Sequence, residues 1–392
     1  MFLFANSYPL KRKYCIFAKK KDMNILINAT NLVLGGGLQV ADSLCRELKN
    51  LDSEHKFFVA LSKELNPTKE AIKDYFNVKT YTYNIQNSIK TLLFGRDEYL
   101  DNLVEKENID FVLTIFGPSR WNPKVKHLSG FAMSQLIMKD SPFFTTCSLK
   151  NKLYWKYIFT LSRKIFFKRS TKLFWSENSY ISNQVKLLFK GAKCYTITNY
   201  YNSVFDNTSL WKEKTLPEFN GLTLLCISSY YPFKNLEVSI EVSKYLKEKY
   251  RDFNFRFVFT CKREDFPDLK GMEKPIVFLD RVDISECPSL YYQSDFVFMP
   301  SFMECFTAVY PESFKMRKPL LTSDLPFAKG LCGDAAEYFS PTDAKDIAEK
   351  IYSLYNNPER QQELIEKGEK QLLSYDNTPQ RLRKLIKIME EN

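Results

Sequence analysis

Short apolar runs alternate with helically spaced apolar positions through the first half of the chain. Residues 24–28 form a strand-like run, followed by Gly35, Gly36 and Gly37 and then by apolar residues at helical spacing from 38 to 48. A strand, a glycine-rich loop and a helix in that order predict the beginning of a βαβ unit. Further strand-like runs follow at 57–61, 111–116 and 173–175. The alternation predicts a doubly wound parallel α/β sheet.

The same pattern restarts after residues 201–220, a polar segment without sustained periodicity. Strands are predicted at 222–228, 255–261, 276–279, 296–299 and 319–322, and helices at 235–250, 286–293, 306–316 and 344–355. Residues 378–389 predict a last helix with Thr378 as its N-cap and Pro379 at its first helical position. The apolar spacing of this helix suits packing against a neighbouring domain.

These patterns predict two Rossmann-like domains in tandem. The predicted segments are an N-terminal extension (1–22), a first domain (23–203), a linker (204–220), a second domain (221–375) and a C-terminal helix (376–392). In open parallel sheets a ligand binds beyond the carboxyl ends of the strands. We therefore expect the site in a cleft where the two domains face each other, built from residues that directly follow strands.

The composition narrows the class of protein. The nine cysteines are scattered singly and there are only two histidines, His55 and His127, which argues against a disulfide framework and against a zinc site. No apolar run approaches the ~20 residues that a membrane-spanning helix needs. Residues 1–22 lack the apolar core of a signal peptide. We expect a cytoplasmic protein without a bound metal.

The net charge of +11 favours anionic partners. Eight basic residues and no acid lie between Lys150 and Lys172, interleaved with aromatic residues. This pattern is typical of an interfacial helix, which predicts peripheral contact of residues 150–175 with the anionic inner face of a membrane. The alternative is a helix whose aromatic residues face the core while its lysines are solvated. No recognisable nucleic-acid-binding module accompanies the charge, so no nucleic-acid partner is expected.

The segment from Ser301 to Phe314 carries the most informative chemistry. Glu304 follows a predicted strand, and Glu312 lies eight residues later inside the predicted helix. The free amides of residues 305–308 at a helix beginning would suit a diphosphate. A carboxylate at Glu312 could accept paired hydrogen bonds from ribose hydroxyls. The alternative is a pair of solvated surface glutamates.

Two further segments follow predicted strands. Lys234 lies at a predicted helix beginning, where a cation is favourable only if it and the helix face an anion together; an exposed lysine is the alternative. Gly35, Gly36 and Gly37 would let the backbone approach a ligand. They do not form the G-x-G-x-x-G pattern of a dinucleotide site, and a simple turn is the alternative.

Together these residues resemble the GT-B glycosyltransferases of family 4, the group 1 retaining glycosyltransferases, over nearly all of residues 23–390. The Glu-x7-Glu signature of that family is met by Glu304 and Glu312 within ECFTAVYPESF. The surrounding segments IVFLDRVDISECPSLYYQSDFVFMPS, KPLLTSDLPFAKGLCGDAAEYFSPTDAKDIAEKI and NPERQQELIEKG resemble successive segments of the family. The resemblance implies a retaining transfer of a sugar from a nucleotide sugar to a glycan or lipid-linked acceptor, in cell-surface polysaccharide synthesis and without a metal cofactor.

The resemblance also implies roles for single residues. Lys234 would contact the donor diphosphate, Glu304 would lie near the donor sugar, and both would be catalytic. Glu312 would bind the ribose. The remaining donor contacts are the amides of Cys305, Phe306 and Thr307 for the phosphate, Arg281 and Val282 for the nucleobase, and Gly36 and Gly37 from the opposite wall.

The chain departs from the pattern of the family at several positions. Ser229 stands where the family usually has an arginine, five residues before Lys234. The usual histidine of the amino-terminal domain has no clear counterpart, since His127 lies at the beginning of a strand and is expected to be structural. A second hypothesis is therefore a catalytically inactive binding or scaffold protein. A glycoside hydrolase with Glu304 and Glu312 as its carboxylate pair is a poorer alternative, because the phosphate-directed helix beginnings would have no use.

Overall fold

The computed structural model describes residues 22–83, 89–146, 149–266, 268–269 and 271–392, so nearly all of the predicted extension lies outside it. The first domain contains the strands β1 (Asn24–Ala29), β2 (Lys56–Leu61), β3 (Val78–Thr82), β4 (Phe111–Thr114), β5 (Lys126–Gly130), β6 (Leu173–Ser176) and β7 (Lys193–Thr196). Its helices are α1 (Gly36–Glu47), α2 (Asn66–Ile72), α3 (Ile89–Phe94), α4 (Glu98–Lys106), α5 (Ser134–Ile137), α6 (Phe143–Thr146), α7 (Leu149–Leu153), α8 (Thr160–Ser170) and α9 (Ser179–Leu188). A π-helical turn, Tyr154–Phe159, joins α7 to α8.

The second domain contains the strands β8 (Leu222–Cys226), β9 (Phe255–Phe259), β10 (Ile276–Phe278), β11 (Phe296–Met299), β12 (Leu320–Ser323) and β13 (Glu337–Phe339). Its helices are α10 (Val238–Lys249), α11 (Cys287–Tyr292), α12 (Val309–Lys315), α13 (Pro326–Cys332), α14 (Ala344–Tyr355) and α15 (Pro358–Leu372), and the chain ends in α16 (Thr378–Glu391).

Both sheets have the doubly wound order that the alternating pattern predicted. The first sheet runs β3-β2-β1-β4-β5-β6-β7 and the second β10-β9-β8-β11-β12-β13, and all recorded strand pairs are parallel. The strand order reverses between β1 and β4 in the first sheet and between β8 and β11 in the second. At such a reversal the loops diverge and leave a crevice. The expectation of two Rossmann-like domains facing across a cleft is confirmed.

Three of the four strands that the apolar pattern did not predict lie at sheet edges, and the fourth, β5, is a central strand whose sequence KHLSG is not an apolar run. β3, β7 and β13 are each the last strand of a sheet, and their side chains are mostly half-buried or exposed. An edge strand has a neighbour on one side only, so its sequence lacks the continuous apolar run of a central strand. Central strands such as β1, β4 and β8 are buried almost throughout, which is why the sequence reveals them.

The last helix returns to the first domain. Leu382, Leu385 and Ile386 of α16 are buried in the same core as β1 and α1. Its N-cap is Asn377 rather than Thr378, because the Asn377 side chain accepts from the amide of Gln380 and the Gln380 side chain accepts from the Asn377 amide, in a reciprocal capping box.

The chain passes between the domains twice, and the two crossings are joined. Asp376 accepts hydrogen bonds from the amide and the hydroxyl of Thr198, at 3.0 and 3.1 Å, and the Asp376 amide donates to the same hydroxyl. The segment predicted as a linker lies along α11 of the second domain. The amide of Lys212 donates to the carbonyl of Ser285, and that of Leu216 to the side chain of Gln293.

Seven described cysteines are buried free thiols: Cys45, Cys194, Cys226, Cys261, Cys287, Cys305 and Cys332. Burial raises the pKa of Cys45 to about 12 and that of Cys261 to about 11, so these thiols remain protonated at neutral pH. Within the described residues, no helix has both the length and the apolar character needed to cross a membrane.

We predict that Leu385→Ala destabilises the protein by about 2–5 kcal/mol, because the fully buried side chain joins α16 to the first domain and its removal leaves a cavity. The matched control is Lys387→Ala on the exposed face of the same helix, expected to change stability by less than about 0.5 kcal/mol. Urea unfolding measures both. Equal stability of the two variants would contradict this packing of α16.

Candidate functional site

A cleft of about 2160 Å³ separates the two domains. Its walls are formed largely by loops at the reversal points of the two sheets. The first domain contributes residues after β1 and β4, and the second contributes residues after β8 and β11. The predicted residues Gly36, Gly37, Lys234, Glu304, Cys305, Phe306, Thr307 and Glu312 all line it. Parallel strands explain this convergence, because their carboxyl ends lie at one edge of each sheet.

Lys234 and Glu304 form an ion pair in the wall of the second domain. The Lys234 ammonium donates to Glu304 Oε1, and the two side chains are only 15% and 9% exposed. The hydroxyl of Ser301 donates to the same carboxylate oxygen at 2.9 Å. The loops after β8 and β11 are thereby fastened to each other, and a positive and a negative group stand side by side at the cleft.

Lys234 does not begin a helix, contrary to the expectation. It ends a short 3₁₀ turn, Pro232–Lys234, and α10 begins only at Val238. The reason is Asn235, whose backbone is left-handed with φ of 55° and whose side chain donates to the carbonyls of Pro300 and Pro341. The loop that carries Lys234 is therefore held to the segments that follow β11 and β13 of the second domain.

The helix after Glu304 also begins later than predicted. α12 begins at Val309 rather than at Phe306, which places Glu312 in its first turn. Pro311 explains the difference, because proline has no amide and is tolerated only near a helix beginning. Residues 305–307 form a loop instead. Among the described residues, no group accepts a hydrogen bond from the amides of Cys305, Phe306 or Thr307.

Glu312 is 4% exposed, and its carboxylate accepts a hydrogen bond of 2.8 Å from the hydroxyl of Tyr291. Burial raises the pKa of Glu312 to about 7, and the hydrogen bond from Tyr291 opposes this shift. The carboxylate is therefore not the solvated surface group of the alternative hypothesis. Hydroxyl donors from a ligand would stabilise its charged form and lower the pKa again.

Gly36 and Gly37 line the cleft from the side of the first domain. Gly35 precedes α1 with φ of 77°, and no side chain caps that helix. A Cβ at Gly36 would meet no atom within 4 Å, so its backbone is open to the cleft. Backbone amides at an uncapped helix beginning suit an anion or a polar ligand.

The predicted nucleobase contacts differ in detail. The residues of this segment that line the cleft are Asp283 and Ile284, and not Arg281 or Val282. His127 is structural, as expected: its ring is buried between the hydroxyl of Thr114 at 2.8 Å and the carbonyl of Ser170 at 3.1 Å. Burial lowers the pKa of His127 to about 4.

Sequence reasoning missed a buried pair at the cleft. Glu177 lines it and accepts a hydrogen bond of 3.2 Å from Arg381 of α16, with exposures of 6% and 1% for the two side chains. Arg381 also donates to the side chain of Asn199, another lining residue. Glu177 directly follows β6, a position that could have marked it as a candidate. Nothing in the sequence connects it with Arg381, more than two hundred residues away.

Comparisons with known proteins find related sequences among glycosyltransferases. Residues 208–371 match the family model described as glycosyl transferases group 1. The chain is 23% identical over 263 residues to the O-antigen chain mannosyltransferase RfbU of Salmonella typhimurium, covering 63% of this chain and 68% of that protein.

Two solved structures share the fold over nearly their whole length. A glycosyltransferase from Rickettsia africae superposes with a TM-score of 0.66 at 17% identity, covering 94% of this chain and 98% of that one. Anabaena Alr3699/HepE in complex with UDP and glucose has a TM-score of 0.64 at 14% identity, covering 94% of this chain and 100% of that one. Both similarities concern the architecture.

We predict that Glu312→Gln becomes more stable relative to the wild type as pH rises from 5 to 8.5, by about 1–3 kcal/mol. The folded-state pKa of Glu312 is raised from 4.5 to about 7. The unfolded chain therefore releases this proton first, and the wild type loses stability as pH rises through that interval. The neutral amide does not titrate.

Urea unfolding of both proteins at pH 5 and pH 8.5 isolates this effect, because every other titrating group is common to the two. Glu363→Gln, which removes an exposed carboxylate, is the control and should show no such gain at high pH. A stability difference between Glu312→Gln and wild type that does not change with pH would refute the buried-carboxylate description.

Proposed function

We propose that this chain is a glycosyltransferase whose donor is a nucleotide-diphosphate sugar, since residues 208–371 match the model of the glycosyl transferases group 1 family. A hexose is transferred with retention of configuration to a glycan or lipid-linked acceptor, as in family 4. Similarity to the O-antigen chain mannosyltransferase RfbU supports a role in cell-surface polysaccharide synthesis. The fold shared with HepE, crystallised with UDP and glucose, supports the donor class.

The observation that carries this proposal is the arrangement of groups on one wall of the cleft. Lys234, the amides of residues 305–307 and Glu312 all come from the second domain and line the same space. In the proposal the ammonium and the amides bind the diphosphate, and Glu312 binds the ribose hydroxyls. The segment 281–284 runs along the nucleobase, with Asp283 and Ile284 turned to the cleft.

The chemistry follows from where charge develops. The bond between the sugar C1 and the phosphate oxygen breaks, a bond from C1 to an acceptor hydroxyl forms on the same face, and the hydroxyl proton passes to the departing diphosphate. Positive charge develops on the sugar and negative charge on the leaving group. Glu304 would face the first and Lys234 the second, in a site where burial strengthens both interactions. This assignment requires no metal.

We further propose that the enzyme works at the inner face of an anionic membrane. α7, the π-helical turn and α8 expose Leu153, Tyr157, Ile158, Leu161 and Ile165, each at least half exposed. Basic residues flank them, and residues 150–172 contain no acid. An exposed apolar stripe with flanking lysines suits an anionic lipid surface, which supports the interfacial hypothesis over a fully core-facing helix.

For the donor, we expect UDP or another nucleoside diphosphate to raise the melting temperature of the wild type, because a ligand of the folded state stabilises it by mass action. Lys234→Gln should weaken this binding at least tenfold, whereas Lys244→Gln, a surface lysine of the same domain, should not. Calorimetry with nucleotides and nucleotide sugars measures the melting temperature of the wild type and the affinities of the wild type and both variants. A wild type that binds none of them would refute the donor assignment.

The inactive-scaffold hypothesis predicts a different behaviour of the wild-type protein. It allows nucleotide-sugar binding but no release of the nucleotide from the donor. Turnover in the wild type that falls at least a hundredfold in Glu304→Gln, with donor affinity retained, would exclude it. Binding without turnover across a panel of glycan and lipid-linked acceptors would favour it.

For the membrane, the double change Lys164→Gln and Lys168→Gln should weaken binding to phosphatidylglycerol vesicles several-fold in a sedimentation assay, because two charges leave the surface that faces the lipid. The control is the double change Lys345→Gln and Lys370→Gln, which removes the same charge from exposed helices of the second domain. Equal vesicle binding by all three proteins would remove the membrane part of the proposal.

A further inference from the structure

A short segment of the first domain contacts the second domain beside the Lys234–Glu304 ion pair. Ser141 lies just before α6 and is buried. Its hydroxyl donates a hydrogen bond of 2.9 Å to the carbonyl of Phe302, in the loop after β11. The same hydroxyl accepts from the amide of Phe143 at 3.3 Å, which fixes the serine at the beginning of its helix. The fold of the first domain therefore directs this hydroxyl at a loop of the second.

The backbone of Phe302 joins three segments of the chain. Its carbonyl accepts from Ser141 of the first domain, and its amide donates to the carbonyl of Phe233 at 2.8 Å. Phe233 directly precedes Lys234, and Phe302 lies two residues before Glu304. A displacement of Phe302 is therefore transmitted through short stretches of backbone to both members of the ion pair.

Aromatic packing supports the same junction. The buried ring of Phe143 meets that of Phe233 edge-on, with centroids 6.3 Å apart and an interplanar angle of 85°. Phe143 also packs edge-on against Trp155 of the π-helical turn, at 6.3 Å, and Phe233 stacks on Tyr231 at 5.3 Å. Because closely packed rings have little freedom to move, α6 and the loop that carries Lys234 hold each other in place.

The ion pair lines the cleft, whereas neither Ser141 nor Phe143 is among the described residues that do. These two residues of the first domain therefore act on a bound ligand through the loops that they hold. In the proposed reaction Glu304 faces the positive charge on the sugar, and a displacement of about 1 Å in such a group can cost on the order of a hundredfold in rate. Support from a neighbouring residue then matters for catalysis without contact to the substrate.

We propose that Ser141 and Phe143 are positioning residues for the Lys234–Glu304 pair, so that the first domain sets the geometry of the donor wall in the second. This inference rests on the proposed function and adds to it a coupling between the arrangement of the domains and the reaction. The alignment of the ion pair is complete only when the two domains meet at Phe302.

The first experiment measures turnover by the full chain, as release of UDP from UDP-glucose and of GDP from GDP-mannose. Ser141→Ala should lower kcat at least tenfold and change the KM for the donor less than threefold, because the binding groups remain but are misaligned. Ser141→Thr, which keeps the hydroxyl, should restore most of the turnover. The control is Thr145→Ala, which removes an exposed hydroxyl from the same helix and should leave kcat unchanged.

A double-mutant cycle separates positioning from a general loss of structure. In Glu304→Gln the carboxylate that Ser141 helps to position is already absent, so adding Ser141→Ala should lower kcat less than twofold further. Phe143→Leu should lower kcat several-fold, whereas Phe144→Leu, in an equally buried neighbour, should not. Losses that multiply in the double variant, or a loss in Thr145→Ala as large as in Ser141→Ala, overturn the proposal.

Hydrogen exchange followed by mass spectrometry tests the same junction without turnover. Ser141→Ala should raise the exchange rate at least tenfold in peptides that contain residues 302–308 and 233–236, and Thr145→Ala should not. Melting temperatures verify that all variants fold. Faster exchange with unchanged kcat shows a structural contact only and overturns the positioning role.

The two kinds of failure are distinguishable. A wild type that releases no nucleotide from either donor contradicts the proposed function, whatever the exchange rates are. Unchanged exchange in both loops of Ser141→Ala overturns this inference, whether or not the wild type turns over a donor.

Discussion

The site depends on holding the carboxyl ends of two parallel sheets against each other. Each sheet alone offers a shallow crevice at the point where its strand order reverses. The two crevices become one cleft because the chain crosses between domains twice and both crossings are joined by hydrogen bonds between Thr198 and Asp376. Helix α16 then packs into the core of the first domain, so the last helix of the chain contributes to the stability of that domain.

Within that cleft, the burial of carboxylate groups costs desolvation free energy. Glu304, Glu312 and Glu177 are each less than 10% exposed, and each has a different partner: a lysine, a tyrosine hydroxyl and an arginine. Buried carboxylates with few hydrogen-bond partners can accept hydrogen bonds from hydroxyl or amide groups of a ligand. The second domain thus combines a cation, open amides and a partly satisfied carboxylate in one wall of the cleft.

Helix α8 connects the chemistry of the cleft with the outer surface. Arg163 and Phe166 line the cleft, whereas Leu161 and Ile165 are exposed, and Arg169 holds the helix to α3 through the carbonyls of that helix. The segment has a buried and an exposed apolar side, since Phe167 is fully buried while Leu161 and Ile165 are more than half exposed.

The sequence by itself determined the two α/β domains, most of their central strands and the cleft residues Lys234, Glu304 and Glu312, because these residues follow buried strands at short, local spacings. It did not reveal β5 or the edge strands β3, β7 and β13, none of which carries a continuous apolar run. Nor did it reveal the late beginnings of α10 and α12, which depend on Asn235 and Pro311. Only the tertiary structure paired Glu177 with Arg381. That pair joins segments distant along the chain, and the free energy that brings them together comes from packing of the whole domains rather than from any local pattern.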